Sequence, residues 1–209
     1  MEQTARPQMT PAKAAFKAPK TLQRAEKQLL RSMFRHRRHV IPTDLVHTTN
    51  FKAANLVRSL IADLTPTVVS LYMPRQNEVD LTLLVQDLWE ANQTVCLPRV
   101  VQRGHPLVFN IWNQGRPLEP DALGIPAATG PEIIPSVIVI PMVGYNREGY
   151  RLGSGGGYFD RTLAALKQPV ITIGVCFTEL EIPDFPAEEH DTRLNYIVTG
   201  KEIIACNPR

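Results

Sequence analysis

The chain has 209 residues, enough for one sizeable core, and its 44% hydrophobic and 21% charged content is ordinary for a soluble globular protein. No apolar run approaches the ~20 residues a membrane-spanning helix needs, and the basic N-terminus lacks the apolar centre of a secretory signal. The net charge of +3 is uneven: residues 1–40 carry ten Lys/Arg against two acids, and the rest carry thirteen against eighteen. A basic N-terminal stretch could touch nucleic acid, but it has no interleaved aromatics and the body is acidic, which argues against that partner. Cys96, Cys176 and Cys206 are odd in number and far apart, so they form neither a disulfide framework nor a zinc pattern, and a reducing cytoplasm is the expected location.

Residues 1 to about 20 are rich in Ala, Pro, Lys and Gln and have little to bury, so they read as a disordered extension ahead of a domain over 21–209. From Thr21 to His39, Leu22, Leu29, Leu30, Met33 and Phe34 lie among many bases and predict an amphipathic helix closed by Pro42. A second helix is expected from Phe51 to Leu64. Strands and helices then alternate. Thr67–Tyr72 is β-rich. Asp80–Asn92 carries Leu81, Leu84, Leu88 and Trp89 at helical spacing. Thr94–Leu97 is a short strand ending at Pro98, and Leu107–Trp112 another. A Pro/Gly-rich connector follows over 115–135. Val137–Ile140 is apolar on both faces, which predicts a central strand. Asp160–Leu166 reads as a helix, with Val170–Phe177 and Tyr196–Val198 as strands. This order predicts an α/β protein: three αβα layers on a mostly parallel central sheet.

Four of the twelve glycines fall within Gly153–Gly157, about a dozen residues after that strand. Glycine permits positive φ and close approach, and successive amide N–H groups in such a turn form an anion-binding concavity. The segment therefore reads as a phosphate cradle, with Asp160 beside it to hold a metal ion. It is neither a Walker A loop nor a dinucleotide fingerprint by spacing, and a ligand-free glycine turn is the alternative. Lys27 and Arg31 stand one helical turn apart and face the same way. They could serve a triphosphate or be plain solvated residues. Asp160 could instead cap the following helix, Glu78 could sit at a helix N-terminus for the dipole, and Met73 could be core. No Ser/His or Cys/His dyad is evident, and the five histidines show no metal spacing.

The run Gly149-Tyr150-Arg151-Leu152-Gly153-Ser154-Gly155-Gly156-Gly157-Tyr158-Phe159-Asp160-Arg161 resembles the signature of the 5-formyltetrahydrofolate cyclo-ligase family, also called 5,10-methenyltetrahydrofolate synthetases. The upstream Val139–Asn146 resembles that family's strand and approach loop, and further pieces match in order: Lys27-Gln28-Leu29-Leu30-Arg31, Asn77-Glu78-Val79-Asp80, Leu97-Pro98-Arg99, Gly124-Ile125-Pro126, and Glu189-His190-Asp191 with Tyr196–Thr199. The likeness covers residues from about 20 to 205.

The resemblance implies a fold like the sugar-phosphate isomerase and CoA-transferase group. It implies ATP- and Mg²⁺-dependent conversion of 5-formyltetrahydrofolate to 5,10-methenyltetrahydrofolate, ADP and phosphate, with ATP phosphorylating the formyl oxygen before N10 closes the ring. It assigns ATP to Lys27, Arg31, Arg151, Leu152, Gly153, Ser154, Gly155, Gly156, Gly157, Tyr158 and Phe159. It assigns the folate to Met73, Glu78, Tyr158 and the loop from Ser154 to Gly157. Asp160 and Asp191 would hold Mg²⁺, and Arg151 and Tyr158 would be catalytic. The chain departs from the family pattern at Ser154, Phe159, Asn146 and Ala127. Ser154, where relatives often carry a larger or basic residue, motivates the rival reading of a non-catalytic folate- or nucleotide-binding module. A sugar-phosphate or CoA-ester enzyme on a related fold rests on analogy alone. Monomer and homodimer both remain open.

Overall fold

A computed structural model describes residues 20–75, 77–188 and 191–206; the expected disordered extension and His190 lie outside the described residues. Two long helices lead, α1 (Lys20–His39) and α2 (Thr43–Leu64), followed by β1 (Val68–Ser70), α3 (Thr82–Glu90), β2 (Thr94–Arg99) and β3 (Val108–Ile111). Two short pieces, β4 (Glu119–Pro120) and β5 (Pro126–Ala127), lie in the connector. Then come β6 (Val137–Pro141), a small hairpin of β7 (Gly144–Tyr145) and β8 (Arg151–Leu152), α4 (Tyr158–Ala165), β9 (Ile171–Val175), β10 (Tyr196–Val198) and β11 (Ile203–Ala205).

The main sheet has seven strands in the order β11-β10-β9-β6-β1-β2-β3. The five inner strands are parallel, and each edge strand, β3 and β11, pairs antiparallel. The mostly parallel α/β sheet expected from the alternation is therefore present. Val137, Ile138 and Val139 are wholly buried and Ile140 is 1% exposed. Because successive strand residues face opposite sides, that run requires cover on both faces and makes β6 the spine of the core. From β1 the chain adds β2 and β3 on one side, and from β6 it adds β9, β10 and β11 on the other. The reversal lies between β1 and β6, and ligands of open α/β sheets bind outside the carboxyl ends of the strands at such a switch point.

Several boundaries differ from the sequence expectation. α2 starts at Thr43 rather than Phe51, and Pro42, which has no N–H to satisfy, occupies its N-cap position instead of merely closing α1. α3 starts at Thr82, and Asp80 stands outside it, its Oδ1 accepting the Thr82 N–H at 2.8 Å and hydroxyl at 2.7 Å. β2 runs through Pro98 because its pairing with β1 ends at Cys96. Beyond that point β2 pairs only with β3, so a missing N–H is tolerated. α4 begins at Tyr158, two residues before the expected Asp160. The β7–β8 hairpin and β11 are too short or too polar in pattern to announce themselves. Burial pushes the Cys96 and Cys176 thiols up to about 12, so neither forms a thiolate at neutral pH. Among the described residues, no helix is long and apolar enough to cross a membrane.

Candidate active site

At the carboxyl ends of β1, β2 and β6 lies a cavity of about 360 Å³. Its walls include Tyr72 and Met73 after β1, Pro98 of β2, Ile140 and Pro141 of β6, the segment from Arg151 to Asp160, Lys27 and Arg31 of α1, Glu78, and Asp191 with Thr192. The topology thus gathers Lys27, Arg31, Met73, Glu78, Arg151 to Asp160, and Asp191 into one place, although they span most of the chain.

The glycine loop is shaped from both ends. Upstream, the hairpin turns over Asn146, whose Oδ1 accepts the Tyr150 N–H at 2.9 Å, and delivers Arg151 to the cavity edge. Downstream, Gly157 has φ +64° at the N-cap of α4, a left-handed conformation that glycine adopts without a Cβ penalty. A Cβ on Gly156 would lie 2.9 Å from the Tyr158 ring, so the loop closes onto that ring only with glycine there. Three arginines hold the loop by its carbonyls. Arg31 Nε donates to Gly153 O at 3.0 Å, Arg35 Nη2 to Ser154 O at 2.6 Å, and Arg161 Nη2 to Gly156 O at 2.8 Å. Among the described residues, none accepts the N–H of Ser154, Gly155 or Gly156. A strip of unpaired amides beside cations, at a helix start, is what an anionic phosphate requires. Asp160 sits in the first turn of α4 rather than at its cap, so the capping alternative does not apply.

The charges around the cavity pair with one another. Lys27, with its side chain 9% exposed, donates from Nζ to Asp191 Oδ2 at 2.7 Å and Glu188 Oε2 at 2.9 Å. The same Asp191 oxygen accepts the Glu188 N–H at 2.8 Å. Arg151, 5% exposed, donates from Nη2 to Asp160 Oδ1 and from Nη1 to Thr192 O. Burial pulls the Arg151 guanidinium below its usual value, and Asp160 and Asp191 push it back up. Asp160 itself keeps 57% of its side chain exposed. Among the described residues, no group of three or more His, Cys, Asp or Glu forms a metal cage. Asp160 and Asp191, both lining the cavity beside the strip of loop amides, do fit Mg²⁺, which usually takes one or two carboxylates and fills its shell with phosphate oxygens and water.

At the other wall, a tight turn places Glu78: its N–H donates to Arg75 O at 2.9 Å, and its Oε2 accepts the Arg75 N–H at 3.0 Å. Glu78 therefore stands ahead of α3, not at its N-terminus. Burial raises its carboxyl above the usual range, opposed by that N–H bond and by the charges of Arg38 and Arg75. Met73 is half-buried, lining the cavity and packing on the core at once. Tyr158 lies under the Arg161 guanidinium, 4.9 Å from ring centroid to Cζ, and its hydroxyl accepts the Gly104 N–H at 3.4 Å. Leu152 is buried and Phe159 half-buried beside it. Arg35 and Glu188 were missed by the sequence reading. Arg35 had a faint signal, one turn beyond Arg31, and Glu188 had one in its place three residues before Asp191.

Residues 23–200 match the model of the 5-formyltetrahydrofolate cyclo-ligase family. The chain is 29% identical over 140 residues to the 5-formyltetrahydrofolate cyclo-ligase of Haemophilus influenzae, covering 63% of this chain and 75% of that one. It is 28% identical over 202 residues to the Saccharomyces cerevisiae 5-formyltetrahydrofolate cyclo-ligase, covering 84% and 96%. Among solved structures, it resembles the 5,10-methenyltetrahydrofolate synthetase of Aquifex aeolicus with a TM-score of 0.76 and 26% identity, over 88% of this chain and 94% of that one.

Proposed function

This chain belongs to the 5-formyltetrahydrofolate cyclo-ligase family, and from that premise we propose that it closes 5-formyltetrahydrofolate to 5,10-methenyltetrahydrofolate at the expense of ATP, releasing ADP and phosphate. The observation that carries this reading is the strip of unpaired loop amides at Ser154–Gly156, set beside Lys27, Arg31 and Arg151 at the sheet's switch point. In the proposed reaction the γ-phosphoryl group passes from ATP to the formyl oxygen. N10 then attacks the activated formyl carbon and gives up its proton to solvent, the C–O bond breaks, and phosphate leaves with that oxygen. Such a transfer relies on positioning and neutralised charge rather than on a protein nucleophile. The loop amides cradle the phosphate oxygens, Arg151 offers a planar fork and Lys27 a point charge. Glu78 accepts hydrogen bonds from the pterin, Met73 gives it an apolar contact, and Tyr158 walls folate from nucleotide. Asp160 and Asp191 would hold Mg²⁺, which supplies neutralisation of phosphate charge. The three cysteines are buried free thiols, in keeping with a cytoplasmic protein.

The test is purified protein with 5-formyltetrahydrofolate, ATP and Mg²⁺, followed by the absorbance of the methenyl product. Product that requires all three is the expected result. Folate binding without turnover would replace this reading with the non-catalytic module.

A further inference from the structure

Arg38 of α1 is only 3% exposed, yet no carboxylate meets it. Among the described residues it makes no ion pair, and its one hydrogen bond runs from Nη1 to Met142 O at 3.5 Å, the outer limit for such a bond. Met142 directly follows Ile140 and Pro141 of the cavity wall. Burying a guanidinium without an anion in contact is costly, so its charge calls for a use nearby. The anion that acts most strongly on Arg38 is Glu78, and of the two cations that act on Glu78, Arg38 is the stronger. Resting on the functional reading above, in which Glu78 receives the pterin, we infer that Arg38 is a positioning residue for the folate: it acts through space on Glu78 and holds it as a carboxylate, ready for the two N–H donors of the ring.

A pterin presents its N3–H and 2-amino group side by side, two donors on one edge. A carboxylate answers both with acceptors, whereas a carboxylic acid turns its own O–H against one of them. Burial favours the acid form of Glu78. The Arg75 N–H at 3.0 Å is a first counterweight, but it draws on Oε2. A cation in contact would draw on still more of the acceptor capacity. Arg38 supplies a counter-charge without an ion-pair contact, so Oε1 stays available to the ligand. The other groups facing Glu78 do not take this part. Tyr72, whose hydroxyl donates to Val79 O at 2.5 Å, and Cys176 are both held neutral by burial. Asp80 turns Oδ1 to Thr82. Arg75 is exposed, where solvent and salt screen its charge.

Calorimetric titration with 5-formyltetrahydrofolate, without nucleotide and from about pH 5 to 8.5, tests this on the parent protein and on Arg38→Met, Arg75→Gln and Glu78→Gln. Affinity falls as Glu78 takes up a proton, so the pH of half-fall reads that carboxyl. In Arg38→Met this pH is expected to rise by about one unit, the size of a lost neighbouring charge, and in Arg75→Gln by less than half of that. In Glu78→Gln the fall should vanish, and adding Arg38→Met to that variant should bring no pH dependence back. A uniform loss of affinity in Arg38→Met with the half-fall pH in place is what a purely structural arginine gives. That result, or a fall that persists in Glu78→Gln, overturns the inference and leaves the functional reading standing. Should Arg38→Met show no thermal transition, Arg75→Gln decides. A rise of half a unit or more makes Arg75 the counter-charge and overturns the inference, and a smaller one leaves Arg38 as the other cation acting on Glu78. A parent protein that binds the folate at no pH overturns both.

Discussion

Glu78 is held where its charge is costly. Burial raises its carboxyl, so the folded protein favours the protonated form more than the unfolded chain does. Its contribution is therefore least unfavourable below the ordinary carboxylate range and worsens as pH rises through the raised folded value. Replacing it by Gln should raise the thermal midpoint at pH 7.5, and the gain should fade as pH falls towards 4.5, as melting curves across that range would check. The same variant should weaken folate binding, because an amide accepts fewer hydrogen bonds than a carboxylate. The sequence offered Glu78 only through likeness to other chains. On its own it read as a helix-terminal acid, and the turn over Arg75 that aims it into the cavity has no pattern to betray it. Arg151 and Asp160 were legible because both sit in one compact stretch. Glu188 was not, because its partner Lys27 is 161 residues away and only the fold brings them together.

At the scale of elements, the glycine loop and α4 act as a unit. Gly157 combines a left-handed backbone with a tight neighbour, since an added Cβ would meet Arg161 Nη1 at 2.9 Å. Gly157→Ala should cost about 1–2 kcal/mol of stability, readable as a lowered urea midpoint, and should raise KM for ATP by disturbing the first turn of α4. The apolar spine at Val137–Ile140 and the helical stripes gave the elements and their order. What pattern could not supply was the β7–β8 hairpin, whose strands have two residues each and whose shape comes from Asn146 accepting a backbone N–H. Pro98 misled because a proline forbids strand pairing only where both neighbours are present.

At the scale of the whole molecule, α1, the glycine loop and the segment around Asp191 meet only in the folded state, so a ligand that bridges them stabilises that state alone. Mg²⁺·ATP at a hundred times its Kd should add about 2.7 kcal/mol. That is a rise in thermal midpoint on the order of 5–10 °C for a chain of this size. A melt with and without ligand checks it, and a midpoint that does not move would show that the folded chain does not bind the nucleotide.

The grip of Lys27 on Asp191, 164 residues downstream, has a consequence during synthesis. The ribosome makes the helix bearing Lys27, Arg31 and Arg35 long before the carboxylates that answer Lys27. Tying such distant points carries a chain-closure entropy of roughly 4–5 kcal/mol, which the growing sheet must have met before the contact can form. A nascent chain can hold its first helices and strands and still lack half of the charges that define the cavity. The contact between Lys27 and Asp191 is thus among the last in the molecule that can form.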